Sequence, residues 1–158
     1  MQNLNWHPRW AAMLNLTASW SEDTSSKYSA LIVDGRNVLI SMGYNGLPRG
    51  IRLHPSYHNR PDKYDYFVHA ETNAIIQASG RDIQGCTIYL IEPPCARCAG
   101  EIIQAGIKDI RYIREHDTTD PRWTEESTGW RAGIETANSI LYEAGVYMEQ
   151  MKLDKEQS

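Results

Sequence analysis

The sequence predicts an α/β domain: a five-stranded mixed sheet with helices on both faces. Three observations carry this. β-rich runs alternate with helical patterns in the order α-β-β-α-β-α-β-α-β, and such alternation implies parallel crossovers with helices on the faces. The first two runs flank a tight turn cluster, which makes them a hairpin. The 158 residues suit one domain, large enough to bury roughly 70% of the surface its unfolded form exposes.

Residues 6–20 read as the first helix. Pro8 suits its first position, and Trp10, Met13, Leu14, Thr17 and Trp20 follow the spacing of a buried stripe. Residues 30–33 and 38–42 form the hairpin strands around Asp34-Gly-Arg-Asn37. Residues 44–65, broken by glycines and prolines, read as a long polar loop, and loops of that length are usually functional or mobile. A helix over 69–79 stops at Gly80. Strand 87–91 ends at Glu92-Pro93-Pro94. A helix over 96–105 closes at Gly106, and strand 109–113 follows. The polar loop 114–127 leads to a helix over 129–144 ending at Gly145. A short strand, 146–148, comes last. Residues 1–150 are taken as one domain and 151–158 as a charged tail.

Composition narrows the function classes. Hydrophobic residues are 41% and charged residues 23% of the chain, a globular profile rather than a disordered one. Sixteen Lys and Arg against 20 Asp and Glu give a charge of −4, so the overall basic signature of a nucleic-acid binder is missing. No apolar run approaches the ~18–20 residues of a membrane span. The start, Met-Gln-Asn-Leu-Asn-Trp, does not resemble a signal peptide. Two of the three cysteines form Cys-x-x-Cys. In a chain without an export signal, that favours metal or redox chemistry over a disulfide framework and a cytoplasmic location.

Two segments concentrate the chemistry: His69-Ala70-Glu71 and Pro94-Cys95-Ala96-Arg97-Cys98. Cys95 and Cys98 lie three apart, on one side of a helical turn. A helix start favours the thiolate form. With His69 opening another helix, these give three zinc ligands. Structural zinc usually takes four protein ligands, whereas three plus an open position fit a catalytic zinc, whose water has a pKa near ~7. Glu71, two residues past His69, is placed for general acid–base work on that water. Cys86, at a strand start, reads as a small buried residue. His54 and His58 are the pair to inspect for a second metal.

His-x-Glu followed by Pro-Cys-x-x-Cys is the signature of zinc nucleobase deaminases. The chain resembles more specifically the deoxycytidylate (dCMP) deaminases of phages and eukaryotes. The resemblance rests on Gly43-Tyr-Asn-Gly-Leu-Pro-Arg-Gly50, on His69-Ala-Glu-Thr-Asn-Ala-Ile75, and on Pro94-Cys-Ala-Arg-Cys-Ala99 with Ile102-Ile-Gln-Ala-Gly-Ile-Lys108. About residues 20–148 align. The chain departs from the family at Trp20, where an Arg is usual, and at Tyr28-Ser29-Ala30, where Val-Gly-Ala is common.

The resemblance implies a three-layer α/β/α cytidine-deaminase-like fold and hydrolysis of dCMP to dUMP and ammonia, supplying thymidylate synthesis. It implies one Zn²⁺ per subunit on His69, Cys95 and Cys98, with Glu71 catalytic. Asn45 is expected at the sugar 3′-hydroxyl and the Ala70 backbone near the exocyclic amine. Ser21 and Lys27 are candidates for the 5′-phosphate; Tyr112 and Tyr66 are candidates to cover the base. The family implies a homo-oligomer, a hexamer foremost, activated by dCTP and inhibited by dTTP; no allosteric residue is assigned. The alternatives are a deaminase of modified dCMP, free cytidine or tRNA adenosine, and a non-catalytic zinc-bearing nucleotide sensor.

Overall fold

The computed structural model describes residues 5–59, 62–120 and 129–153. In chain order these form α1 (His7–Ala18), β1 (Ser29–Val33), β2 (Leu39–Tyr44), a 3₁₀ turn (Pro55–His58), α2 (Lys63–Tyr66), α3 (Ala70–Gln77), β3 (Thr87–Leu90), α4 (Ala96–Gln104), β4 (Asp109–Tyr112), α5 (Trp130–Glu143) and β5 (Tyr147–Gln150). The sheet order is β2-β1-β3-β4-β5. β1 runs antiparallel to β2 and β3, while β3, β4 and β5 are parallel. The expected five-stranded mixed sheet is therefore present.

Strand alternation splits the core into two layers. Ala30 and Ile32 of β1, with Ile88 and Leu90 of β3, pack against α3, α4 and α5 through Ala74, Ile102 and Leu141. Leu31 and Val33, with Tyr89 and Ile91, face α1 through Trp10, Ala11 and Leu14. β1 is buried on both faces, which is why it reads as an unbroken apolar run rather than an alternating one. Gly106 ends α4 with φ +78°, a conformation that favours glycine at a helix C-terminus.

Four expectations need correction. Helix α1 ends at Ala18, and the Ser19 hydroxyl donates back to the Leu16 carbonyl. Trp20 therefore leaves the stripe; it is exposed and packs edge-on against Tyr44. Val38 lies outside β2 and is exposed, because its N–H is taken by the Asp34 carboxylate and its carbonyl by the Asp34 N–H. The 44–65 loop contains the 3₁₀ turn and most of α2. His54 Nδ1 accepts the Ser56 N–H and starts the 3₁₀ turn, while Gly46 bridges to Val68. Met151, assigned to the tail, is buried and donates its N–H to the Tyr112 carbonyl. The rest of the tail from 154, and the loop residues 121–128, fall outside the described residues. Among the described residues no helix is long and apolar enough to cross a membrane.

Candidate metal centre and cleft

Helices α3 and α4 begin at the same place. His69 is the N-cap residue of α3 and Cys95 that of α4, both in extended backbone conformation. Extended caps turn the two side chains away from their helices and toward each other. Cys98, in the first turn of α4, is fully buried. His69 Nδ1 lies 3.3 Å from Cys98 Sγ and 3.6 Å from Cys95 Sγ. All three donor atoms fall within 4.8 Å of one another.

These distances fit a tetrahedral ion. Zn–S near ~2.3 Å and Zn–N near ~2.0 Å give an N···S tetrahedral edge of about 3.5 Å. The trio is the one such cluster of His, Cys, Asp or Glu among the described residues. A fourth corner therefore remains for a small molecule. His54 and His58 turn to other work: His54 Nδ1 bonds Ser56, and His58 Nδ1 meets Thr24 Oγ1 at 3.4 Å.

The electrostatics of the trio are those of a cation site. Hydrogen bonds from Cys98 and His69, against an opposing effect of burial, bring the Cys95 thiol down to about 3. The Cys95 sulfur and burial push Cys98 up, since two adjacent thiolates repel. The hydrogen bond to Cys95, outweighing burial, raises His69. A divalent ion relieves this conflict by stabilising both thiolates together. Burial, reinforced by the negative Cys95, also holds the Glu71 carboxyl above the ordinary range.

A close approach of helix to strand positions the floor. A Cβ on Gly43 would sit 2.4 Å from both the Ala70 carbonyl oxygen and the Ala74 nitrogen. Only glycine lets α3 lie this tightly on β2. Ser41 Oγ donates to the Ala74 carbonyl at 2.8 Å, and Asn73 Nδ2 to the Tyr44 carbonyl at 2.9 Å. Thr72 Oγ1 and Glu101 Oε2, 2.5 Å apart, tie α3 to α4.

Above this floor is a cavity of about 120 Å³. His69, Ala70, Glu71 and Cys95 line its metal end, and Phe67, Leu90, Ile91 and Pro93 make apolar walls. The other end is polar, with Asp23, Ser26, Tyr28, Asn45 and Lys63. Glu92 and His116 share one rim: His116 Nδ1 is 3.2 Å from Glu92 Oε2, and Arg114 Nε donates to Oε1 at 2.9 Å. These partners, with Tyr28, overcome burial and keep the Glu92 carboxyl below the ordinary range.

The expected site residues divide. His69, Ala70, Glu71, Cys95 and Asn45 come together at the cavity, and Cys98 lies directly behind His69 and Cys95. The other four lie away from its lining. Ser21 is buried and spends its hydroxyl on the Asn45 carbonyl. Lys27 Nζ bonds the Ser21 carbonyl. Tyr66 stacks on Tyr57 with ring centroids 4.1 Å apart. The Tyr112 hydroxyl bonds Glu115, and burial with that carboxylate pushes it up to about 12. Asn45 lines the cavity, yet its amide is engaged with the preceding loop. Oδ1 accepts the Tyr28 N–H at 2.8 Å, while Nδ2 donates to the Ser26 carbonyl at 2.8 Å and to Asp23 at 3.2 Å. Sequence reasoning missed Asp23, Lys63, Glu92, His116 and Trp130, which also line the cavity. They sit in polar loops or at a helix start, and no spacing marks them.

Residues 4–114 match the family model for the cytidine and deoxycytidylate deaminase zinc-binding region. A deaminase of the luxG 3′ region of Aliivibrio fischeri is 34% identical over 149 residues, covering 94% of this chain and 95% of that one. Mouse deoxycytidylate deaminase is 38% identical over 125 residues, or 74% of this chain and 70% of its own. Among solved structures, the apo dCMP deaminase of cyanophage S-TIM5 superposes with a TM-score of 0.70 at 23% identity, covering 96% of this chain and all of that one. That likeness establishes the cytidine-deaminase-like fold. Sequence match and donor geometry agree: this chain belongs to the zinc-dependent cytidine and deoxycytidylate deaminase family.

Proposed function

We propose that the protein hydrolyses dCMP to dUMP and ammonia. The observation that carries this is the placement of Glu71 beside the His69–Cys95–Cys98 trio, on the floor of a cavity with apolar walls and a polar far end. The apolar walls of Phe67, Leu90, Ile91 and Pro93 suit a pyrimidine ring, while the polar end suits a sugar phosphate. The mouse relative is a deoxycytidylate deaminase, which supports the same substrate class.

His69, Cys95 and Cys98 would hold the zinc, which when bound would supply the Lewis acidity that makes water a nucleophile near neutral pH. Glu71 takes the proton from the attacking water and passes it to cytosine N3 as oxygen adds at C4. Glu71 then takes the remaining proton from the C4 hydroxyl and delivers it to the amine, so that the C4–N bond breaks as the C4 carbonyl forms. Water and dCMP are consumed; dUMP and ammonia leave. The Ala70 backbone faces the exocyclic amine. Asn45 shapes the deoxyribose end through the 23–28 loop it holds. Phe67, Leu90 and Ile91 exclude bulk water from the ring.

The family resemblance extends the reading to a cytoplasmic hexamer, activated by dCTP and inhibited by dTTP. The test is ammonia release from dCMP, 5-methyl-dCMP, deoxycytidine, cytidine and a tRNA anticodon stem, with and without dCTP and dTTP. Preference for dCMP is the expected result. Preference for another substrate would redirect the reading within the family, and zinc loading with no deamination of any of them would favour a sensor. A light-scattering mass near 18.0 kDa would contradict the hexamer.

A further inference from the structure

The two helices that carry the metal ligands are fastened to different neighbours. Ser41 and Asn73 bond α3 to β2, whereas α4 packs mainly on α5. Neither cap side chain, His69 or Cys95, bonds its own helix; both are turned toward the trio. Apart from the trio, one side-chain hydrogen bond joins α3 to α4 among the described residues. It runs from Thr72 Oγ1 to Glu101 Oε2 at 2.5 Å.

Spacing explains where this bond falls. Thr72 is three residues past His69, and Glu101 is three past Cys98. Residues three apart share a helix face. The pair therefore meets one turn beyond the place where His69 Nδ1 and Cys98 Sγ stand 3.3 Å apart. A hydroxyl donating to a carboxylate makes a short, charge-assisted bond, about twice as strong as a neutral one. Here the bond is also half-buried. Two adjacent thiolates repel, so the ligands by themselves push the helix starts apart, and a bond between the helices opposes that. Neither Thr72 nor Glu101 lines the cavity, so neither meets a substrate there.

We infer that Thr72 and Glu101 are positioning residues whose hydrogen bond sets the separation of the two helix starts and thereby governs how tightly the His69–Cys95–Cys98 trio retains zinc. The inference rests on the zinc-centre reading above. The bond acts through the ligands: it keeps α3, which carries His69, in register with α4, which carries Cys95 and Cys98. Opening the site to release the metal requires the helix starts to part, and the bond resists that motion.

The experiment uses wild type, Thr72→Ser, Thr72→Val, Glu101→Leu and the double variant Thr72→Val/Glu101→Leu. It measures the zinc dissociation constant by competition with a chelating dye, the rate of zinc release from the loaded protein, and the thermal midpoint of the metal-free protein. Thr72→Val and Glu101→Leu should each weaken zinc binding and speed its release by about 10-fold, the low end of the effect of removing an outer partner of a metal site. All three disruptive variants lose the same bond, so the double variant should stay within about threefold of either single one. Thr72→Ser keeps the hydroxyl and should stay within about threefold of wild type. A merely structural bond lowers the thermal midpoint but leaves zinc affinity and release within about threefold of wild type; that result overturns the inference, as do losses that multiply in the double variant. Where a variant does not fold without metal, the release rate from its loaded form decides by the same limit. A wild type that retains no zinc overturns the metal reading itself, before any variant is compared.

Discussion

The two ends of the cavity are built differently. The metal end is made by two helix starts, each contributing a cap residue and its near neighbours: His69 with Glu71, and Cys95 with Cys98. The polar end is assembled from single residues far apart in the chain, Asp23, Asn45 and Lys63, joined by a buried ion pair and an amide. A helix start repeats a fixed geometry, so spacing along the chain encodes the metal end. No local geometry encodes the polar end. Catalysis should therefore fail abruptly when the first is altered, while specificity and stability should degrade when the second is.

The largest effects should come from the metal end. Cys98→Ala removes a buried ligand, and metal content by atomic emission should fall together with deamination to background. Glu71→Gln should retain zinc and the thermal midpoint while turnover falls about 10²–10⁴-fold, the usual scale of general acid–base catalysis. Near-normal turnover in that variant would remove Glu71 from proton transfer.

Gly43→Ala tests whether the floor depends on the helix–strand approach. A Cβ there meets backbone atoms at 2.4 Å, which no side-chain rotation relieves. Overpacking of this kind costs typically ~1–3 kcal/mol, readable as a lowered urea midpoint. Loss of zinc affinity should accompany it, because α3 carries His69. An unchanged midpoint and affinity would show that α3 can shift without disturbing the trio.

The smallest effect concerns pH. Burial raises the Asp23 carboxyl, but Lys63 and the N–H groups of Ser25 and Ser26 outweigh it and hold the group below its ordinary value of 3.8. The folded value is thus lower than the unfolded one. The resulting stabilisation is complete above the unfolded value, and is lost as pH falls toward and through the folded value. Acid unfolding followed by circular dichroism should show a shallower loss of stability below about pH 4 in the Asp23→Asn/Lys63→Gln protein than in wild type. Identical acid limbs would mean that the pair does not couple to folding.

Much of the architecture was legible in the sequence because periodicity and caps are local. The apolar run 30–33 marked a strand buried on both faces, and Gly106 marked the end of α4. The errors arose where side chains competed for backbone groups. The Asp34 carboxylate took the Val38 N–H, leaving Val38 only its carbonyl bond to the Asp34 N–H across the hairpin, and a hydrophobicity pattern carries no sign of that. Trp20 has the right spacing for the buried stripe, but α1 stops two residues earlier. Ser21 and Lys27 have suitable chemistry for a phosphate, yet their polar groups are engaged with the Asn45 and Ser21 carbonyls.

The order of strands and helices, the three metal-binding side chains and the neighbouring carboxylate follow from the sequence by itself. Each depends on residues close together in the chain, where helix and strand geometry convert spacing into direction. The cavity's far end, the burial of Lys63 and the company kept by Asn45 were decided by tertiary structure alone. They depend on which loops the sheet brings side by side, and a buried charge takes its role from neighbours tens of residues away.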